Sequence, residues 1–282
     1  MDELQLERLA TEMRIDIVRM ISQAGSGHPG GSLSCIDILC SLYFGGVLAH
    51  DPENPDDPDR DRFILAKGHA APALYATLAH AGYFPCEELD TLRKLGTRLQ
   101  GHPDSNQLPG VEVCTGSLGQ GLSIGAGAAA GLKLDGCDAE VFVLLGDGEC
   151  QEGQVWEAAM FAAHRKLDNL VAIVDRNRLQ IDGDTAEVCD PGDLGAKFAA
   201  FGWDVAEVDG HDITSLIEVL GAAKADRGGK PHAVIAHTVK GKGVSFMEGQ
   251  AGWHGKAPNA EQAQEAIAEL EATLAGLEAD HA

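Results

Sequence analysis

The sequence predicts an α/β fold, three layers deep (α/β/α), with a mostly parallel sheet. From residue 140 onward, continuously apolar runs such as Val141-Phe142-Val143-Leu144-Leu145 and Val171-Ala172-Ile173-Val174 alternate with helix-length segments. Strands apolar on both sides and joined through helices make right-handed βαβ units, whose sheet is covered on both faces. In addition, 35 of the 282 residues are Gly, nearly twice the usual share of about 7%. Such a surplus points to close backbone approaches.

The elements follow in order. Leu6, Leu9, Met13, Ile17, Met20 and Ile21 recur at three- and four-residue steps, which predicts an amphipathic helix over 3–24 ending at Gly25. The run Gly25-Ser26-Gly27-His28-Pro29-Gly30-Gly31 reads as irregular, with Ser32 as N-cap of a second helix through Leu42. Residues 51–62 carry three prolines and six acidic side chains and read as a solvated loop. A strand at 63–66, helices at 70–80 and 86–94, an irregular stretch at 96–117 and a glycine-rich helix at 119–134 come next. Strand 140–145, helix 154–165, strand 170–175, helix 192–200, strand 203–208, helix 212–226 and strand 232–238 complete the alternation. A last amphipathic helix spans 260–278. No composition shift marks independent domains, so residues 1–258 read as one domain and 259–282 as a terminal helical segment.

Composition excludes several classes. With 21 Lys and Arg against 44 Asp and Glu, the formal charge is −23, and a phosphate backbone would be repelled, so no nucleic acid is expected. No apolar run approaches the roughly 18 to 20 residues of a membrane span. The acidic start Met1-Asp2-Glu3 does not look like a secretory signal, and the chain reads as cytoplasmic. Seven scattered cysteines without a C-x-x-C pair read as reduced thiols.

Ligand crevices of parallel sheets lie at the carboxyl ends of the strands. Strand 140–145 leaves as Gly146-Asp147-Gly148-Glu149, and strand 170–175 leaves as Asp175-Arg176-Asn177. Joined by one crossover helix, the two strands are expected to be neighbours, bringing Asp147 and Asn177 to one rim. One carboxylate and one amide oxygen are too few ligands for a complete metal site. Mg²⁺, however, usually keeps only one or two carboxylates and takes further oxygens from phosphates and water, so the pair points to a metal-bridged diphosphate. Gly146 and Gly148 would let the backbone approach it, and the N-terminus of the following helix would add donors. Taken alone, Gly-Asp-Gly reads rather as a tight turn; its place at a strand end, matched by an Asn at the next, reverses that in favour of the site. No G-x-x-x-x-G-K-[ST] is present, and the small residues at 121, 125 and 129, and at 127 and 131, fall at four-residue steps that suit close helix packing. Four histidines occupy glycine- or proline-flanked loops: His28, His69, His102 and His254. Their spacing fits no zinc motif, which favours phosphate or hydroxyl contacts and proton transfer over metal ligation.

The segments SGHPGGSLS (26–34), FILAKGHAAPALYA (63–76), GHPDSNQLPGVEVCTGSLGQGLSIGAG (101–127), GDGECQEGQVWEA (146–158), DRNRLQIDG (175–183) and HTVKGKGVSFME (237–248) together resemble the transketolase family, in the half that binds the diphosphate of thiamine diphosphate. The resemblance runs from the first helix to about residue 258. It implies that Asp147, the Asn177 side chain and the Leu179 carbonyl hold Mg²⁺ or Ca²⁺, and that Gly148, His69 and His254 contact the diphosphate. Gly116, Leu118 and Ile181 are implied near the cofactor's rings. His28 and His102 are implied to face the substrate channel, with His28 also placed for proton transfer. Glu152 corresponds to a buried carboxylate near a subunit interface, linking paired sites. Lys240 lies in a loop that approaches the cofactor, without an assigned role.

The resemblance also implies a missing half. Full-length transketolases are more than twice as long, and their pyrimidine-binding domain supplies the activating glutamate and most sugar-phosphate contacts. The chain therefore resembles the N-terminal subunit of a split transketolase. Such a subunit would act on sugar phosphates with a separate C-terminal subunit, in an α2β2 assembly. Residues 260–282 are then either a docking helix or linker remnant, or a solvated terminal helix. Other readings are the α-type subunit of a 2-oxo acid dehydrogenase, against which the SGHPG and KGHA loops argue, and a non-catalytic cofactor-binding relic.

Overall fold

The computed structural model describes residues 1–279. Helix α1 (Glu3–Ala24) starts on a reciprocal capping box between Asp2 and Gln5 and stops at Gly25, whose φ of 61° is left-handed. Of the run 25–31 expected to be irregular, residues 25–28 are so, but 29–31 are already helical. His28 is the N-cap of α2 (Pro29–Ser34), with Pro29 in its first turn, where a missing N–H costs nothing. Ser32 lies inside α2 and donates to the His28 carbonyl at 2.8 Å, and a break at Cys35 separates α3 (Ile36–Phe44). Next come β1 (Arg62–Leu65), a 3₁₀ turn at Gly68–Ala70 and α4 (Ala71–His80). The helix expected over 86–94 is a 3₁₀ turn, Cys86–Thr91. Helix α5 (Gln120–Asp135), strand β2 (Val141–Gly146), helix α6 (Gly153–Arg165) and strand β3 (Leu170–Arg176) follow. Beyond β3 lie a hairpin, β4 (Leu179–Gln180) with β5 (Gly183–Asp184), and short α7 (Thr185–Cys189); no apolar periodicity marks them in the sequence. Then come α8 (Leu194–Ala200), β6 (Asp204–Asp209), α9 (Ile213–Ala225), β7 (His232–His237) and α10 (Ala260–Ala279).

The main sheet among the described residues is parallel throughout, in the order β1-β2-β3-β7-β6. One face of it (Phe63, Phe142, Leu144, Ile173, Val234) packs under α1, α3, α4 and α9, and the other (Ile64, Val143, Leu145, Val174, Ile235) under α5, α6 and α8. The expected three layers are present. The β2–β3 and β3–β6 crossovers, through α6 and α8, lie on one face, and the return through α9 lies on the other, as right-handed connections require. The chain leaves β3 and β7 toward opposite faces, so the crevice between their carboxyl ends is a topological switch point.

Glycines in α5 bring that helix onto the sheet. A Cβ at Gly121 would meet Ala66 Cβ at 2.3 Å, and one at Gly125 would meet Val143 Cγ2 at 2.4 Å. Gly127 and Gly131, expected to share this role, have nothing within 4 Å. Helix α10 lies along α1, burying Ala263, Ala266 and Leu270, while Glu269 accepts from the Ser245 N–H and hydroxyl, both at 2.7 Å. The last three residues of the terminal segment, 280–282, lie outside the described residues. Among those described, the cysteines are all free, and no helix is long and apolar enough to cross a membrane.

Candidate active site

Strand pairing sets the site. Gly146 of β2 stands opposite Asp175 of β3, and Arg176 opposite His237 of β7, so the three strand exits share one rim. Between them is a cavity of about 240 Å³, walled by Asp147, Gly148, Asn177, Leu179, His69 and His254. Leu118, Glu152 and Ile181 also border it. Most of the residues picked out from sequence are therefore brought together. His28 lies just outside, its ring 5.2 Å from that of His69 and 5.6 Å from that of His254. His102 and Gly116 stand farther off and touch each other: Gly116 has φ 133°, and a Cβ there would meet His102 Cδ2 at 2.7 Å.

The oxygen donors are positioned by the backbone. Asp147 accepts from Gly148 N–H at 2.8 Å and from Arg178 N–H at 2.5 Å, which ties the exits of β2 and β3 together. Asn177 donates through Nδ2 to Asp175 at 3.2 Å and accepts from Leu179 N–H through Oδ1 at 3.1 Å, which fixes the amide's orientation. Burial, aided by the charge of Asp175, pushes the Asp147 pKa up to about 6. A desolvated carboxylate beside two neutral oxygens is the setting that a bound divalent cation relieves. Carboxylate, amide oxygen and peptide carbonyl are all hard donors, so the residues present fit such an ion.

Two lysines flank these donors, and the sequence alone assigns a role to neither. Lys67 is buried and donates to Asp175 at 2.5 Å and to the Gly31 carbonyl at 2.7 Å. Burial works against its charge, but the Asp175 carboxylate outweighs burial and holds the lysine above its ordinary range. Asp175 in turn stays ionised against its own burial through Lys67, Ser34 and Thr238. Lys240, also buried, donates to the Leu179 carbonyl and meets His254 Nδ1, each at 2.8 Å. Burial and the nearby Lys67 lower its pKa to about 8. A carbonyl has two lone pairs, so Leu179 can accept from Lys240 and still face an ion.

The histidines form a neutral cluster. His69 and His254 stack with centroids 5.0 Å apart. Burial, followed by Arg93, His102 and Lys240, lowers the His28 pKa to about 4. Burial, followed by Lys240 and His28, lowers His254 to about 3. His69 falls well below its ordinary value, mainly through burial and the Lys67 charge, and His102 is lowered by burial and Arg93. His28 Nδ1 is buried without a hydrogen-bond partner among the described residues.

Glu152, implied to be a carboxylate buried near a subunit interface, is exposed on this chain at the N-cap of α6; burying it would take a second chain laid over it. Besides Asp147, the segment buries the carboxylate of Glu149, 3% exposed, which accepts from Gly119 N–H and Gly146 N–H, both at 3.0 Å. Its burial outweighs those bonds and pushes its pKa up to about 7. It pins the start of α5 to the turn after β2. The helix expected over 154–165 is α6, and a 3₁₀ turn, Glu149–Gln151, separates it from Gly148. The signal for Asp175 was present in sequence as a carboxylate at a strand end. The signal for Lys67 was weaker: a lone Lys before a glycine, with nothing local to show that it is buried.

Comparison with known proteins gives consistent results. The family model for the transketolase thiamine diphosphate binding domain matches residues 6–275. A subunit of the apulose-4-phosphate transketolase of Phocaeicola vulgatus is 45% identical over 276 residues, covering 98% of this chain and 97% of the relative. A 6-deoxy-6-sulfo-D-fructose transketolase subunit of a Clostridium species is 44% identical over 269 residues, covering 95% and 97%. Human transketolase is 42% identical over 274 residues, but the match covers only 43% of its length. Among solved structures, the transketolase of Campylobacter jejuni superposes with a TM-score of 0.88 at 34% identity, covering 96% of this chain and 43% of that one.

Proposed function

Since the chain belongs to the transketolase family, through its thiamine diphosphate binding domain, we propose that it is the cofactor-anchoring subunit of a two-chain transketolase. With a C-terminal partner subunit it would transfer a two-carbon ketol unit from a ketose phosphate or similar donor to an aldose. The observation that carries this reading is the convergence of Asp147, Asn177, the Leu179 carbonyl, His69, His254 and Lys240 on one cavity at the switch point. The relatives named as subunits match this chain over nearly their whole length, whereas the chain spans under half of the single-chain enzymes.

In this reading Asp147, Asn177 and the Leu179 carbonyl hold Mg²⁺ or Ca²⁺. Gly148, His69, His254 and Lys240 receive the diphosphate, for which neutral imidazole N–H groups and one ammonium are suitable donors. Thiamine diphosphate, when bound, supplies the nucleophilic carbon needed to cleave a C–C bond beside a carbonyl. Leu118 and Ile181, the latter 70% exposed, offer apolar surface to its rings, with Gly116 behind them. His28 and His102 address substrate hydroxyls, and the neutral imidazole of His28 can accept a hydroxyl proton there. Glu152, exposed at the pocket edge, faces the partner assembly, for which α2β2 is the proposed form.

The test is reconstitution. The purified chain alone is expected to show no ketol transfer, and addition of a C-terminal-half subunit with thiamine diphosphate and Mg²⁺ should restore it. Turnover by the isolated chain would overturn the two-chain reading. A panel of ketoses and aldoses that includes apulose 4-phosphate and 6-deoxy-6-sulfofructose would then identify the substrates.

A further inference from the structure

Lys240 is the cation nearest the proposed metal ligands that is not already paired with a carboxylate, and something must hold its backbone. The turn that carries it leaves β7 through Thr238, whose hydroxyl donates to Asp175. Gly241 N–H donates to the Gly30 carbonyl at 3.0 Å, and the Lys240 carbonyl accepts from Gly249 N–H at 2.9 Å. A further tie comes from a different loop. Val239 N–H donates to His211 Nε2 at 2.8 Å, and His211 Nδ1 lies 2.7 Å from Asp37 Oδ2. That same carboxylate oxygen is 2.5 Å from Arg14 Nη2.

The donor and acceptor roles are settled by this geometry. Nε2 faces an N–H, so it carries no proton; Nδ1 faces a carboxylate, so it carries one. Asp37 is kept ionised against its burial by Arg14 and by the His211 hydrogen bond, which makes it a fixed acceptor. The loop holding His211 has little freedom. Gly210 N–H donates to the His237 carbonyl at 2.8 Å, and a Cβ at Gly210 would meet Thr238 Cγ2 at 2.4 Å.

We propose that His211 is a positioning residue for Lys240: oriented by Asp37 and Arg14, its neutral imidazole fixes the Val239 amide and so sets the ammonium at the Leu179 carbonyl and His254. The chain of contacts runs from α1 and α3 through the loop after β6 to the diphosphate pocket. Its function rests on the reading of that pocket as a thiamine diphosphate site, whereas its geometry does not.

The experiment has two arms. In the full chain, ¹⁵N NMR of His211 should show the neutral Nδ1–H tautomer, and hydrogen exchange should show Val239 N–H protected. Exchange at Val239 should accelerate in H211A and in H211N, which can reach Asp37 only. H211Q, whose side-chain oxygen can take the place of Nε2, should retain protection. In the complex with the partner chain, H211A should weaken thiamine diphosphate affinity by about tenfold, the effect typical of lost supporting hydrogen bonds, with kcat at saturating cofactor unchanged and H211Q largely restoring affinity. Combined with K240A, H211A should add little, since the two act as one unit. An Nε2–H tautomer, H211Q as impaired as H211A in a folded chain, or full additivity with K240A would overturn the proposal. If the wild-type complex binds no thiamine diphosphate, the reading of the pocket fails, while the tautomer and Val239 protection still decide the geometry.

Discussion

Gly121→Ala tests whether α5 is held to the sheet by close contact or merely lies near it. Gly121 is the second residue of α5, where a Gly costs up to about 1 kcal/mol relative to Ala, so on helix propensity alone the substitution should stabilise the chain. The new Cβ, however, would stand 2.3 Å from Ala66 Cβ and 2.7 Å from Ala66 Cα. Carbon atoms in contact sit about 3.5 to 4 Å apart, so α5 or the exit of β1 must move by more than about 1 Å. Neither yields easily, since Ala66 N–H is bonded to the Leu144 carbonyl at 2.9 Å and Gly125 packs on Val143 one turn further along. Overpacking of this kind costs about 1 to 3 kcal/mol, and contact with backbone rather than a flexible side chain places it at the upper end. The net expectation is a loss of about 2 kcal/mol, a fall in Tm of about 4 to 8 °C in a chain this large. Gly127→Ala, on the same helix with open space around it, is the control and should gain up to about 1 kcal/mol. Thermal and urea unfolding of the full chain would read both. A G121A chain as stable as wild type would refute the packing argument.

Other predictions follow from charge. K67M leaves Asp175 buried without its cation, which should cost about 3 to 5 kcal/mol in urea unfolding; a loss below about 1 kcal/mol would mean that the pair contributes little. D147N should abolish the metal dependence of thiamine diphosphate binding in the assembled enzyme, read by calorimetry with and without chelator; unchanged affinity would place the ion elsewhere. Glu140, buried at the start of β2, has its pKa pushed up to about 8, chiefly by burial, which outweighs the attraction of Arg227. The folded state therefore holds a proton that the unfolded chain releases near its ordinary value. Glu140's contribution to stability is intact below that value and is lost as pH rises toward 8. E140Q should flatten this slope and raise Tm at pH 8, and an unchanged pH profile of Tm would refute the assignment.

The parts of the molecule that were legible in sequence are those whose cause is local or periodic. Apolar runs such as 141–145 must be covered on both sides, so strand type, the pairing of β2 with β3 and the meeting of Asp147 with Asn177 followed. Helix boundaries failed where tertiary contacts decide them. Pro29-Gly30-Gly31 is helical because Lys67 and Lys240 pack against it: Lys67 donates to the Gly31 carbonyl at 2.7 Å, and a Cβ at Gly30 would meet Lys240 Cγ at 3.0 Å. Nothing in that tripeptide signals such neighbours. Glu149 and Glu152 look alike in sequence, and only the placement of Gly119 across the fold shows which of them is buried. The Lys67–Asp175 pair joins positions 108 apart, beyond the reach of any local pattern.

The histidines change what the acidic charge means. A chain of −23 that receives a diphosphate needs local positive charge, and loop histidines look like its source. Burial removes that option: His28, His69 and His254 are all held far below neutrality, so they offer hydrogen bonds and shape without charge. Lys67 is committed to Asp175. Of the groups around the cavity, that leaves Lys240 and whatever cation Asp147 gathers. A diphosphate site with so few charges depends on their exact placement, since Coulomb energy in a desolvated pocket rises steeply as separation shrinks. Such a site needs its one lysine fixed at the backbone, as the His211–Val239 contact does, more than it needs further cations.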